Sequence, residues 1–155
     1  MSVWFECKVR YERMAENGVV KKVNEPYLVD ALTFTEAEAR IIEKITPYIS
    51  GDFSISAVKK TKVSDIFFDD RGDRYYMVKV NFISLDEKSG IEKKSANFML
   101  VQASDLPDAL KKFEEGMKGT LADYEIASIA ETPLMDVFPF QLGVMKVGAT
   151  ETIKE

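Results

Sequence analysis

The sequence predicts an α+β domain in which a strand–strand–helix–strand unit occurs twice. Three observations predict it: stretches in which apolar and polar residues alternate, two segments with apolar residues at helical spacing, and a similarity between the first and second halves of the chain. The chain has 155 residues, of which 46% are hydrophobic, so it has the size of one ordinary domain and enough apolar material for a core.

Each half begins with a predicted β-hairpin. Between Phe5 and Tyr11 the apolar residues alternate with charged ones, which places the apolar side chains on one face, and residues 75–82 follow the same pattern. The pairs at residues 17–18 (Asn-Gly) and 89–90 (Ser-Gly) favour tight turns, so each first strand returns as a hairpin. The second strands are expected to end near Ala31 and Ala103.

A helix is predicted after each hairpin. Thr33 and Asp105 stand at corresponding positions as N-cap residues, and an acidic residue follows each of them three positions later. Apolar residues then recur in a single helical stripe, so each helix is expected to cover one face of a sheet. The stripes contain Ala37, Ile41, Ile42, Ile45 and Ile49 in the first helix, and Leu106, Ala109, Leu110, Phe113 and Met117 in the second.

A third strand is expected after each helix, at residues 53–61 and 124–132. An acidic turn at residues 69–73 then leads from the first copy into the second. These strands predict a mostly antiparallel six-stranded sheet, or a half-open barrel, with two helices. The strand order stays open.

The short connecting turn predicts one fused domain. We expect residues 1–140 to form this domain from two repeats, at about 3–69 and 74–140, related by a pseudo-twofold axis. Residues 141–155 are small, polar and charged, and they are expected to be a loosely ordered C-terminal tail.

The two halves align with one another over most of their length. Residues 4–11 (WFECKVRY) align with 75–82 (YYMVKVNF), with Lys-Val in common and aromatic residues at both ends. Residues 18–34 and 90–106 share Gly, Lys-Lys, Leu-Val and Ala, and the third strands share Ile, Thr, Asp and Phe. The alternative is a coincidence between two generic strand–helix patterns. The number and order of the matches favour a duplication.

Two runs of the chain resemble a known family. They are WFECKVRYERMAENGVVKKVNEPYLVDALTFTEAEARI near the beginning and LADYEIASIAETPLMDVFP near the end. They resemble an uncharacterised domain-of-unknown-function family that is associated with Bacteroidetes and their phages and mobile elements. The resemblance covers about residues 3–140, and it implies no activity and no site residue. The phage association favours a role with nucleic acid.

The composition excludes several classes of site. The chain has no histidine, which excludes histidine-dependent nucleophiles, histidine bases and histidine-containing zinc sites. It has a single cysteine, Cys7, which excludes an internal disulfide and a four-cysteine zinc site. No stretch has the length of apolar sequence that crosses a membrane, and the N-terminus lacks a signal pattern. The expected location is the cytoplasm, with no membrane partner.

Aromatic and basic residues on the strands suggest a binding face. On the outward face of the first strand, Trp4 is followed by Lys8 and Arg10, and Tyr75 and Lys79 repeat the arrangement in the second copy. Rings that stack with bases, beside cations that contact phosphates, are typical of single-stranded DNA or RNA binding. The candidate site residues are Trp4, Lys8, Arg10, Lys21, Lys22, Lys59, Lys60, Tyr75, Lys79, Lys93 and Lys94.

Two observations weaken this interpretation. The net charge is −5, and the second copy has Ala130 and Glu131 where the first has Lys59 and Lys60. Lysines also occur on exposed strands simply because they face water and discourage edge-to-edge aggregation. Protection of the strands is therefore the alternative explanation of the basic residues.

Other polar groups suggest weaker alternatives. The turn residues Asp69, Asp70 and Asp73 lack the spacing of a calcium loop and are more typical of a solvated turn. Asp65 and Asp136 stand at corresponding positions as a possible acid–base pair, although carboxylates often cap the turn after a strand. We predict no catalytic residue, no metal site and no cofactor.

Three functions remain open from the sequence. The first is a non-enzymatic module that binds single-stranded nucleic acid. The second is a protein-interaction or assembly domain that forms a homo-oligomer through edge strands or through an apolar C-terminal segment. That segment contains Met135, Val137, Phe138 and Phe140. The third, ranked last, is a small enzyme that uses carboxylates.

Overall fold

A computed structural model describes residues 3–140 of the chain. It has α+β architecture with two α-helices, as predicted. Within the described part, neither helix is long and apolar enough to cross a membrane. The elements are, in chain order, β1 (Val3–Met14), β2 (Val20–Ala31), α1 (Phe34–Ile45), a short 3-10 turn (Thr46–Tyr48), β3 (Phe53–Lys60), β4 (Val63–Phe67), β5 (Arg74–Leu85), β6 (Glu92–Ala103), α2 (Leu106–Gly116), β7 (Asp123–Glu131) and β8 (Asp136–Phe138).

The described chain divides into two compact units. Unit 1 contains residues 3–61 and 133–140, and unit 2 contains residues 62–132. Unit 1 holds a sheet with strand order β3-β1-β2-β8, and unit 2 holds a sheet with order β4-β6-β5-β7. In each sheet the three long strands pair antiparallel and the short strand pairs parallel to its neighbour.

In unit 1 the helix covers one face of the sheet. The alternation of β1 places Phe5, Cys7 and Val9 in this core, as predicted, and each is almost completely buried. The helix contributes Ala37, Ile41 and Ile45, at the spacing of one helical face. Ile42, which the predicted stripe included, is 40% exposed, so the buried stripe is narrower than expected.

Unit 2 has the same kind of core. Tyr76, Val78 and Val80 of β5 pack with Ala109 and Phe113 of α2. The helix stripe is again narrower than predicted, because Leu106 and Leu110 are 45% and 38% exposed.

Both predicted helix N-caps are confirmed. The Thr33 side chain accepts a hydrogen bond from the Glu36 amide at 3.1 Å, and Glu36 accepts one from the Leu32 amide at 2.6 Å. In unit 2 the Asp105 side chain accepts from the Asp108 amide at 2.9 Å. Each cap satisfies an amide at the helix start that lacks an intrahelical partner, which stabilises a helix by about 1 kcal/mol.

The predicted single six-stranded sheet and half-open barrel are wrong. The described residues form eight strands in two sheets, and neither sheet closes into a barrel. The additional strands, β4 and β8, have only five and three residues, too few for alternation to be read in the sequence. Asp65 and Asp136, interpreted as turn caps, lie within them. The predicted tail, 141–155, lies outside the described residues.

Candidate nucleic-acid interface

The outward face of β1 carries the predicted aromatic and basic residues of the first copy. Trp4, Lys8 and Arg10 alternate with the core residues, so their side chains lie on the face opposite α1. Arg10 is exposed, whereas Trp4 and Lys8 are half-buried. On β1 itself, the exposed cation of this face is therefore Arg10, in the half nearest the hairpin turn.

Neighbouring lysines of the predicted site point to opposite faces. In the strand register, Lys22 lies opposite Glu12 and Lys59 lies opposite Glu6. Both lysines are therefore on the same face of the sheet as Trp4. Lys21 and Lys60 have the opposite parity and lie on the helix side of the sheet. The structure thus brings together only part of the predicted set in unit 1: Trp4, Lys8, Arg10, Lys22 and Lys59. Glu6 and Glu12 lie among them, so the face has mixed charge.

A cleft of about 510 Å³ opens beside the exposed half of this face. It forms where β3 begins, since the last β1–β3 pair is Tyr11 with Phe53 and the hairpin continues beyond it. Its volume lies in the range of small-ligand sites. The lining residues are Arg10, Tyr11, Glu12 and Lys22 of the hairpin and Ser50, Gly51, Asp52, Phe53 and Ser54 of the segment leading into β3.

The two basic residues of the cleft are not neutralised. Among residues 3–140, neither Arg10 nor Lys22 forms an ion pair. Arg10 lies opposite Ser54 of β3, which has no charge. The guanidinium and the ammonium group therefore remain available to an anionic ligand.

In unit 2 the lysine that corresponds to Lys22 is neutralised by a carboxylate. There Asn81 lies opposite Glu125, and the Glu125 carboxylate contacts the Lys94 ammonium at 2.9 Å and accepts a hydrogen bond from Asn81 at 3.2 Å. Lys94 holds the pKa of Glu125 below its usual value. Lys94 is therefore engaged within its own sheet, unlike Lys22 in unit 1.

The other predicted residues of the second copy do not complete a site. Tyr75 was predicted to be an exposed stacking ring, but it is only 4% exposed, so its ring is not available to a base. Strand parity put Tyr75 on the outward face correctly, yet parity does not reveal whether that face is covered. Lys79 is half-buried, and Lys93 is exposed on the opposite face from Lys94.

The sequence interpretation missed a polar network next to the cleft. Glu25 is 9% exposed and accepts hydrogen bonds from the Tyr11 and Tyr27 hydroxyls at 2.9 and 3.4 Å. Arg13 contacts its other oxygen at 3.4 Å. Burial and the Glu25 charge raise the pKa of Tyr27 well above its usual value. The sequence could have shown this network, because Glu25 alternates along β2 with the core residues Tyr27 and Val29 and so lies on the core face.

The remaining polar candidates have structural partners. Asp69 of the acidic turn accepts hydrogen bonds from Arg71 and contacts the Lys112 ammonium at 2.8 Å, and these cations hold its pKa well below the usual range. Within residues 3–140, no group of three or more acidic or cysteine side chains is placed to hold a metal ion. Asp65 is exposed in unit 2 and Asp136 is exposed in unit 1.

Cys7 lies in the core of unit 1, and Phe138 of the C-terminal apolar segment packs against that core. Burial, with the nearby carboxylates Glu6 and Glu38, raises the pKa of Cys7 to about 12, so the thiol is not ionised at neutral pH. Val137 is 3% exposed and Phe138 stacks on Tyr27. Val137 and Phe138 are therefore covered within the chain itself, whereas Met135 is 50% exposed, and the assembly role expected for this segment stays a prediction.

Comparison with known proteins places the chain in a family. Residues 3–140 match the family described as "Domain of unknown function (DUF4494)", so the chain belongs to it. The match confirms the resemblance seen in the sequence and covers the whole described structure. No curated protein and no solved structure matches the chain significantly.

Proposed function

We propose that this member of the DUF4494 family is a non-enzymatic binding module and that its ligand is single-stranded DNA or RNA. The strand would lie along the Trp4 face of unit 1, with its phosphates held at the cleft by Arg10 and Lys22. The observation that carries the proposal is a pair of cations that line an open cleft and have no ion-pair partner among residues 3–140.

The chemistry of the cleft suits a single strand better than a duplex. A guanidinium and an ammonium group attract phosphates, and aromatic rings stack with any unpaired base. A duplex presents two phosphate backbones and requires a broad basic surface. Here Glu6, Glu12 and Asp52 interrupt the basic residues and leave only a narrow cationic strip.

Fluorescence anisotropy with labelled single-stranded and duplex DNA and RNA tests the proposal. We expect single strands to bind more tightly than duplexes and more weakly as salt increases. The variant Arg10→Ala/Lys22→Ala should lose most of the affinity. The slope of the logarithm of the binding constant against the logarithm of the salt concentration should become shallower by about 0.7 for each phosphate contact removed.

The matched control is Lys111→Ala/Lys118→Ala. It removes the same charge from exposed positions on and after α2, which the proposed interface does not use. Wild-type protein that fails to bind any oligonucleotide at low salt would overturn the proposal. So would an equal loss of affinity in the two variants, because binding would then depend on net charge alone.

We also propose that the two units are copies of one ancestral ββαβ unit and that residues 1–140 fold as a single domain. Corresponding strands occupy corresponding positions in the two sheets. The ladder between the first and third strands is irregular at Lys8/Val9 in one unit and at Lys79/Val80 in the other. A cytoplasmic location, and an origin in Bacteroidetes or their phages, remain predictions.

A protein-interaction or homo-oligomeric function is the second candidate. The feature that favours it is the edge position of β3 and β7, because among the described strands each of them has a neighbour on one side only. Multi-angle light scattering over a range of protein concentrations tests it. A mass that rises with concentration supports assembly, and a constant monomer mass contradicts it.

A further inference from the structure

The short strand of each sheet comes from the other half of the sequence. After β3 the chain leaves unit 1 and forms β4, which pairs with β6 of unit 2. After β7 it leaves unit 2 and forms β8, which pairs with β2 of unit 1. Each sheet is therefore completed by the strand that follows the third strand of the other unit.

Unit 1 holds the β8 segment through contacts along its whole length. The Met135 amide donates to the Pro26 carbonyl at 2.9 Å, and the Phe138 ring stacks on Tyr27 with centroids 5.7 Å apart. Beyond the strand, the Phe140 amide donates to the Asp30 carboxylate at 2.7 Å. The surface of unit 1 that makes these contacts, here called the receptor, combines parallel backbone pairing with side-chain contacts.

Arg40 of α1 contacts both the incoming segment and β2. The Arg40 guanidinium lies 4.1 Å from the centroid of the Phe140 ring, and it also donates to the Asp30 carbonyl at 2.7 Å. Asp30 is 1% exposed, so its carboxylate depends on Arg40 and the Phe140 amide for compensation. A buried carboxylate would be costly here unless the segment were present.

Unit 2 holds its short strand in the same way. The Asp69 amide, two residues beyond β4, donates to the Gln102 side chain at 3.0 Å, and Lys112 of α2 contacts Asp69 at 2.8 Å. In the alignment of the two halves, Gln102 corresponds to Asp30 and Lys112 to Arg40. In both sheets, therefore, a side chain of the neighbouring long strand and a cation of the helix contact the residue two positions beyond the short strand.

The connection that brings β8 to unit 1 is short. The Thr132 amide and hydroxyl both donate to the Tyr75 carbonyl at 2.8 Å, which ties Thr132 to unit 2. Met135 is already bound to β2. Only Pro133 and Leu134 lie between these bonds, and proline restricts the backbone further. A short hinge loop is one of the features that accompany the exchange of an element between chains.

We propose that the receptor of unit 1 also accepts residues 133–140 from a second copy of this chain, so that two chains exchange β8 and form a closed dimer. The contacts of β8 are the same in the monomer and in the dimer, so the hinge and the protein concentration decide between them. The proposal does not depend on nucleic-acid binding, and it is one specific form of the homo-oligomer that stands above as the second candidate. A dimer with only intrachain disulfides would overturn the exchange of β8 and leave that candidate standing, whereas a constant monomer mass would overturn both.

The test uses the full chain with two cysteines at a register pair, Leu28→Cys/Val137→Cys, in a Cys7→Val background. Valine is the buried residue at the corresponding position 78 of unit 2, so this background keeps an apolar side chain in the core. The protein is incubated at high and low concentration, oxidised, and analysed by non-reducing electrophoresis. We expect a disulfide-linked dimer whose share rises with concentration.

Two further measurements keep the proposal falsifiable if the cysteine variant folds poorly. Light scattering of the wild type should show the same dimer. Insertion of a Gly-Ser segment after Leu134 should shift it toward monomer, whereas the same insertion in the β5–β6 turn after Lys88 should not. A wild type that is monomeric at every concentration, or a dimer that contains only intrachain disulfides, would overturn the proposal.

Discussion

The two units share a strand order but differ in where they place polar side chains. At the base of its hairpin, unit 1 has Tyr11 and Tyr27 around the buried carboxylate of Glu25. The corresponding residues of unit 2 include Phe82 and Met99, which pack in its apolar core. Within residues 3–140, Arg10 and Lys22 of unit 1 line a cleft without an ion-pair partner, whereas Lys94 of unit 2 is paired with Glu125. Burying polar groups is costly, so among the described residues unit 1 carries a cost at Glu25 and Asp30 that the apolar core of unit 2 does not have.

The largest expected losses of stability come from truncating one buried side chain in the core of each unit. Ile41→Ala and Phe113→Ala should reduce the free energy of unfolding by about 2–5 and 3–5 kcal/mol, because both side chains are completely buried. Trp4, the single tryptophan, reports on unit 1. If residues 1–140 are one cooperative domain, Phe113→Ala lowers the midpoint of the Trp4 fluorescence transition. An unchanged Trp4 transition would show that the units unfold separately.

The next effect compares the residues that hold the short strands. Asp30→Ala should cost on the order of 3 kcal/mol, because Arg40 loses a buried partner and the Phe140 amide loses its acceptor. Gln102→Ala should cost only about 1 kcal/mol, since a neutral hydrogen bond is lost. Urea denaturation measures both. Asp30→Asn is the control, because it removes the charge but keeps an acceptor for the Phe140 amide. Equal losses of unfolding free energy in all three variants would contradict a stabilising role of the Asp30 charge.

A smaller effect is expected in the polar network of unit 1. Tyr11→Phe introduces the residue found at the corresponding position 82 and should cost about 1 kcal/mol, because Glu25 loses its shortest hydrogen bond. The raised pKa values of Tyr11 and Tyr27 mean that the network stabilises the fold below the ordinary tyrosine pKa of about 10 and loses this contribution at higher pH. Stability measured from neutral to alkaline pH should therefore fall less steeply in Tyr11→Phe than in the wild type.

The smallest effect concerns the acidic turn of unit 2. Arg71 and Lys112 lower the pKa of Asp69, so its contribution is present above the ordinary aspartate pKa of about 3.9 and is lost as the pH falls toward the lower folded value. Asp69→Asn should reduce stability at neutral pH by about 1 kcal/mol or less, because the ion pairs lie near solvent. Acid titration followed by circular dichroism tests this. A variant with the acid sensitivity of the wild type would contradict the assignment.

Local patterns predicted the elements, but not their assembly. The period of two in β1 identified the core face, and Thr33 and Asp105 identified the helix starts, because these features depend on neighbours along the chain. β4 and β8 have too few residues for any period, and their pairing partners are distant in sequence. The burial of Tyr75 was also inaccessible, since the cover of a strand face is a tertiary property.

The candidate site was predicted in part for the same reason. Strand parity correctly grouped Trp4, Lys8 and Arg10. In the pairs Lys21/Lys22 and Lys59/Lys60, one lysine lies on each face of the sheet. Which lysine lies on the Trp4 face follows only from the register of the strands. The cleft itself depends on where β3 begins relative to the hairpin, which the sequence of either strand alone does not determine.

The order of strands along the chain has a consequence for synthesis on the ribosome. Unit 2 is continuous, so all of its strands are available once residue 132 has been made. The strands β1, β2 and β3 of unit 1 are made before every strand of unit 2, yet unit 1 lacks β8 until residue 138 has followed the whole of unit 2. Domains usually fold from the N-terminus during synthesis. In this chain the N-terminal sheet is the last to be completed, and until then the edge of β2 that receives β8 stays open to other chains.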